Sequence, residues 1–142
     1  MAVRIAVISD THFPARGRAL PPACTLAIAG ADLLIHAGDL ADMNALSLMR
    51  SVGPPLVAVH GNADDAAIRK AVPATAQVEL AGLRLAVVHN GGPEAGRLER
   101  ISRRQPRHSM AEIVLDSGHP PEVRFLSVDD PAGPLPGDLI RR

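Results

Sequence analysis

Along the first ninety residues, short apolar runs alternate with polar stretches marked by glycine and proline. Val3 to Ile8 is apolar except for Arg4 and rich in β-branched side chains, the pattern of a strand buried on both faces. Pro21 and Pro22 suit the first turn of a helix running toward Gly30. The same rhythm returns in Asp32 to His36, a strand closed by Ala37-Gly38-Asp39, and in Asn44 to Arg50, an amphipathic helix stopped by Gly53-Pro54-Pro55. It returns again in Leu56 to His60, a strand turned by Gly61-Asn62, and in a helix through Lys70 that Asp64 and Asp65 can cap. Strand, loop and helix three times over predict a parallel sheet built by crossovers.

The pattern then changes. Gln77 to Leu80 and Leu83 to Val88, joined by Ala81-Gly82, predict a hairpin that ends at His89, followed by an exposed helix over Glu94 to Arg104. Glu112 to Asp116 and Val123 to Val128 can each be strands. Residues 129–142 have little periodicity and are expected to form an irregular tail. No linker divides the chain, so residues 1–142 are expected to form one domain.

Composition narrows the function classes. The chain has 142 residues, 46% of them hydrophobic, enough for a continuous core. Fifteen basic and fifteen acidic side chains cancel, and Phe13 and Phe125 are the only aromatic residues of the Phe, Tyr and Trp types, so bulk nucleic-acid binding is not expected. No stretch is apolar for the roughly 20 residues that a membrane span needs, and no signal peptide or lipidation pattern is read at the termini. The single cysteine, Cys24, reads as a small buried hydrophobe and fits a reducing compartment; a cytoplasmic protein is expected.

Metal-ligand residues recur directly after the apolar runs: Asp10 with His12, then Asp39, Asn62, His89 and His119. Open α/β sheets bind ligands beyond the carboxyl ends of their strands, so such a row would converge there. Three ordered motifs carry the comparison further: Asp10-Thr11-His12, Gly38-Asp39-Leu40-Ala41-Asp42 and Gly61-Asn62-Ala63-Asp64, followed by His89 and Gly118-His119. Together they resemble the calcineurin-like metallophosphoesterase superfamily, most closely its small prokaryotic phosphodiesterase branch, over roughly Val3 to His89.

The resemblance implies an α/β fold with two mixed β-sheets packed as a sandwich flanked by helices, its C-terminal part shortened or irregular. It also implies two divalent metal ions, one held by Asp10, His12 and Asp39 and the other by Asp39, Asn62, His89 and His119. Asp39 has two oxygens with which to bridge two cations. Mixed nitrogen and oxygen ligands suit Mn²⁺ first, with Fe, Zn²⁺ or Ni²⁺ as alternatives. A small phosphate ester is the implied substrate, attacked by a hydroxide that bridges the metals, and no protein residue beyond the metal ligands is assigned a catalytic role.

The chain departs from that family's pattern in two places. Ala63 stands where many members carry a histidine that protonates the leaving group. In place of Gly-His-x-His, Asp116-Ser-Gly-His119-Pro-Pro121 keeps a single histidine, so either Pro121 or Ser117 replaces the other imidazole. These departures leave two functions in competition: a metal-dependent phosphodiesterase, or a catalytically weak or inactive member acting as a protein-binding scaffold, for which the superfamily's retromer subunit is the precedent.

Among the remaining candidates, His36 and His60 read as buried, hydrogen-bonded groups behind the ligands, and His108 reads as a solvated loop residue. Asp42 and Asp64 can serve the motif or cap helices equally well. Arg16 and Arg18 can steer phosphate or simply be solvated, and Met43, Leu46 and Met49 read as core packing.

Overall fold

A computed structural model describes residues 2–12, 20–90 and 109–127. Arg16, Arg18, the helix expected over 94–104, His108 and the tail expected over 129–142 lie outside those residues. Along the chain run β1 (Val3–Ile8), α1 (Pro22–Ala29), β2 (Leu33–His36), α2 (Met43–Ser51), β3 (Leu56–Ala58) and α3 (Ala66–Ala71). After these come β4 (Thr75–Leu80), β5 (Leu83–Val88), β6 (Ser109–Leu115) and β7 (Glu122–Ser127).

Among the described residues, these elements arrange as two sheets with helices. The larger sheet has the order β3-β2-β1-β6-β7, and β4 pairs with β5 in a second sheet. β1, β2 and β3 are parallel, with Ile8 opposite His36 and His36 opposite Ala58, so their carboxyl ends lie along one edge. β6 runs antiparallel to β1, with Val3 opposite Leu115 and Val7 opposite Ala111, and β7 runs antiparallel to β6. The larger sheet is therefore mixed, and the smaller is an antiparallel hairpin closed by Ala81-Gly82.

Alternation along the strands builds two apolar layers. Ala6, Ile8, Leu34, Ala58 and Met110 face the helices, where they meet Cys24 and Ile28 of α1, Leu46 and Met49 of α2, and Ile68 of α3. The odd-numbered neighbours Ile5, Leu33 and Ile35 face the hairpin and pack with Val87, Val78 and Leu85. This is why the strands read as continuous apolar runs: both faces of β1 and β2 are covered. Met49 and Leu46 are buried as expected, whereas Met43 at the start of α2 is 40% exposed.

Helix starts follow local chemistry. Asp42 caps α2 by accepting the Ala45 N–H at 3.0 Å, and Asp65 caps α3 by accepting that of Ile68 at 2.9 Å. Pro22 occupies the first turn of α1, where its missing N–H costs nothing.

Leu34 has no exposed surface and sits between β2 and the helices. Truncating Leu34→Ala should lower unfolding free energy by about 2–5 kcal/mol, whereas Leu26→Ala, at a side chain 75% exposed, should change it by less than about 0.5 kcal/mol. Urea denaturation of the two variants checks the assignment of inside and outside.

Candidate metal centre

The turns that follow β1 and β2 stay paired after the strands end. Asp10 N–H donates to Gly38 O at 2.9 Å, and His12 N–H to Asp39 O at 3.1 Å. Asp10, His12 and Asp39 adopt positive φ angles of 56°, 46° and 59°, and Ala41 one of 101°. Non-glycine residues in this region cost on the order of 1–3 kcal/mol each and persist where the surroundings hold them. Here the strain turns three side chains to the same edge of the sheet.

What holds the turns is Asp64. Its buried carboxylate accepts the N–H groups of Gly61 at 2.6 Å, Ala41 at 2.8 Å and Asp39 at 3.0 Å. Burial would raise the Asp64 pKa, but the N–H groups of Gly61, Ala41, Asp39 and Leu40 more than offset this and hold it below the ordinary carboxylate value. Asp64 is thus a clamp across the turns after β2 and β3, and α3 is capped by Asp65 alone of the expected pair. Arg69 completes the second turn by donating to the carbonyls of Asp64 at 3.0 Å and Asn62 at 2.9 Å.

Two glycines leave room for this. A Cβ at Gly38, where φ is +105°, would stand 2.6 Å from His89 Nδ1. At Gly61 the reason is space rather than φ: a Cβ there would fall on the Asp39 carboxylate and 2.6 Å from its backbone nitrogen.

The side chains converge as follows. His89 Nδ1 donates to Ala37 O at 2.8 Å, which leaves Nε2 of the neutral ring as a lone pair. That lone pair faces Asn62 Oδ1 at 3.0 Å and Asp39 Oδ2 at 3.5 Å. His12 Nε2 approaches the same Asp39 Oδ2 at 3.6 Å. Ligand atoms of Asp10, Asp39 and His89 all lie within 4.8 Å of one another. Asp39 Oδ1 accepts the Ala63 N–H at 2.8 Å, and Oδ2 is the oxygen that faces His12 and His89.

This donor set fits a divalent cation. Lone pairs and carboxylate oxygens repel each other unless a positive charge stands among them. Atoms about 2.1 Å from a common cation are roughly 3.0–3.4 Å apart in octahedral or tetrahedral geometry, close to the spacings found here.

His119 is not brought to this centre, which corrects the expected ligand row. It lies 74% exposed in the turn between β6 and β7, 3.6 Å from Asp116. Because β6 is antiparallel to β1, that turn, with Ser117 and Pro121, adjoins Val3 at the opposite edge of the sheet. The length of β1, about 17 Å at 3.3 Å per residue, separates the two edges. Within this sheet, a strand-end histidine converges with the others only if its strand runs parallel to theirs. His60 is half-buried and ties its backbone N–H to Pro73 O. His36 is fully buried, as expected, with Nδ1 accepting the Gly38 N–H at 3.2 Å and Nε2 2.9 Å from Thr11 Oγ1.

The family model described as the calcineurin-like phosphoesterase superfamily domain matches residues 3–124. The chain belongs to that superfamily. A protein of Methanocaldococcus jannaschii named "Probable metallophosphoesterase" is 34% identical over 116 residues, which are 81% of this chain but 57% of that protein. The chain thus spans little more than half the length of that relative. A protein of the same name from Methanothermobacter thermautotrophicus is 29% identical over 126 residues, 89% of this chain and 71% of its own. Among solved structures, wild-type Vps29 of Entamoeba histolytica complexed with zinc superimposes with a TM-score of 0.67 at 13% identity, over 92% of this chain and 95% of that one. At that identity the likeness is one of fold. Among the described residues, no helix is long and apolar enough to cross a membrane.

Two outcomes are expected here. Gly61→Ala should cost about 1–3 kcal/mol of stability by forcing Asp39 away, measurable by chemical denaturation. Burial pushes the His36 imidazole down from 6.5 to about 4. A depressed histidine stabilises the fold above its unfolded value and loses that contribution as acid protonates it. Metal-free protein should therefore lose about 3 kcal/mol between pH 6.5 and 4, and a thermal-melt series should show a flatter profile for His36→Gln.

Proposed function

We propose that this chain is a metal-dependent phosphoesterase acting on phosphodiesters or activated phosphate esters. The observation that carries the reading is the convergence of His89 Nε2, Asp39 Oδ2 and Asn62 Oδ1, with Asp10 beside them, a nitrogen and oxygen donor set that suits a divalent cation. Asp10, His12 and Asp39 would hold one divalent ion, and Asp39, Asn62 and His89 a second, with Mn²⁺ the first candidate and Fe, Zn²⁺ or Ni²⁺ the alternatives. That wild-type Vps29 of Entamoeba histolytica was crystallised with zinc agrees with a divalent ion on this fold. Bound ions supply polarisation of phosphoryl oxygens and a water acidic enough to ionise near neutral pH.

The chain's own residues prepare that chemistry. The bond from His89 Nδ1 to Ala37 O orients the ring so that Nε2 points into the centre. Asp39 is held by the Ala63 N–H on one oxygen and keeps the other for the centre. Asp10 is exposed and takes the Ser9 hydroxyl at 2.5 Å on Oδ2. Two carboxylates against two divalent ions leave net positive charge, which favours a phosphate and the further negative charge of its transition state. Ala63 stands beside Asp39, and its methyl side chain has no acidic proton to give. The leaving group must therefore depart without protonation from that position.

The position of His119 supports a second reading, a catalytically weak member that keeps the fold as a protein-binding scaffold. With that imidazole at the far edge, three described side chains remain for each ion.

Hydrolysis of bis(p-nitrophenyl) phosphate separates the readings. The enzyme reading expects turnover lost on chelation, restored by Mn²⁺ and abolished in Asp39→Ala. Turnover that survives both chelation and that substitution would end it, and no turnover with Mn²⁺ bound would favour the scaffold. The aryl diester should also be hydrolysed faster than an alkyl monoester, by a factor on the order of the 10²–10⁴ that proton donation supplies. Equal rates, measured under matched metal loading, would count against the role assigned to Ala63.

A further inference from the structure

β2 contributes four buried residues, three of them leucine or isoleucine and the fourth His36, which has no exposed surface. An apolar side chain would fill that place at no cost in desolvation. The imidazole instead makes two polar contacts, and each goes to a different ligand-bearing turn. Its Nδ1 accepts the Gly38 N–H at 3.2 Å, one residue before Asp39. In the neutral ring Nε2 then carries the proton, which it donates to Thr11 Oγ1 at 2.9 Å. Thr11 lies between Asp10 and His12, both at positive φ, so this bond reaches the middle of the strained segment.

We propose that His36 is a positioning residue for the metal centre, tying the turn that carries Asp10 and His12 to the turn that carries Asp39. It rests on the reading that these residues ligate a cation. Backbone bonds from Asp10 to Gly38 and from His12 to Asp39 set the spacing of the two turns. The Thr11 hydroxyl adds the side-chain anchor that keeps the segment from relaxing to ordinary negative φ. Without it, Asp10 and His12 must pay the cost of reaching the ligating conformation when metal binds.

Isothermal titration of the full chain with Mn²⁺, alongside melting of the metal-free protein, tests this. Thr11→Val removes the hydroxyl at constant shape and should weaken the tightest Mn²⁺ site by about 10–100-fold, the usual effect of losing a group that orients ligands. Thr11→Ser keeps the hydroxyl and should restore wild-type affinity, a rescue that a purely packing role would not produce. His36→Asn can still accept the Gly38 N–H but cannot reach Thr11. It should weaken binding as Thr11→Val does, and the two together should cost little more than either alone. The Co²⁺ visible spectrum should change in Thr11→Val and return in Thr11→Ser. Wild-type affinity in Thr11→Val, failure of Thr11→Ser to rescue, or full additivity of the pair would overturn the proposal while leaving the metal reading intact. Absence of Mn²⁺ uptake by the wild-type chain would overturn both. Should His36→Asn fail to fold, the Thr11 pair decides alone.

Discussion

The carboxylate of Asp64 receives the N–H groups of Asp39, Ala41 and Gly61, and with this it joins the turn after β2 to the turn after β3. A buried carboxylate with so many donors is stable as an anion, and it removes three backbone donors from the list of buried groups needing partners. The geometry of the centre follows from it. Gly61 is drawn so close to Asp39 that no side chain fits, and the next turn of chain brings the Ala63 N–H onto Asp39 Oδ1. Oδ2 is left to face His12 and His89. His89 arrives from the second sheet and is oriented by Ala37 O, so the centre is also where the two sheets meet.

Strain and burial at this edge are offset by the apolar layers beneath it. Three candidate ligands hold positive φ, and His36 is kept neutral in the interior, each at a cost in free energy. The helix-side layer and the layer between the sheets bury both faces of β1 and β2, which fixes the strand ends from which the turns depart. Fixed strand ends and an Asp64 clamp let an energetically unfavourable turn persist, and the turn holds Asp10, His12 and Asp39 at one edge of the sheet.

Much of this was legible in the sequence because it is local. The β-branched runs, the proline pair before α1 and the turns at Gly38 and Gly61 marked the parallel unit and the stations at Asp10, His12, Asp39, Asn62 and His89. Two things were not. Whether Asp64 caps a helix or clamps turns depends on Asp39 and Ala41, more than twenty residues away, and nothing in the local pattern separates the two. The direction of β6 depends on its pairing with β1, and an apolar run reads the same in either direction. The family resemblance puts His119 in the ligand set, and the antiparallel register of β6 places it at the other edge. Arg69, whose guanidinium holds the Asn62 turn, carried no signal beyond being a basic residue late in a short helix.

The central claim is that Asp39 Oδ2 is the shared oxygen of a cation site built from the turns after β1, β2, β3 and β5. A crystal structure of the full chain soaked in Mn²⁺, with anomalous maps, tests it most directly. The account expects anomalous density about 2.0–2.2 Å from Asp39 Oδ2, with His89 or His12 nitrogen in the same coordination shell and none beside His119. Density at His119, or none near Asp39 in a crystal that binds Mn²⁺ elsewhere, would contradict it.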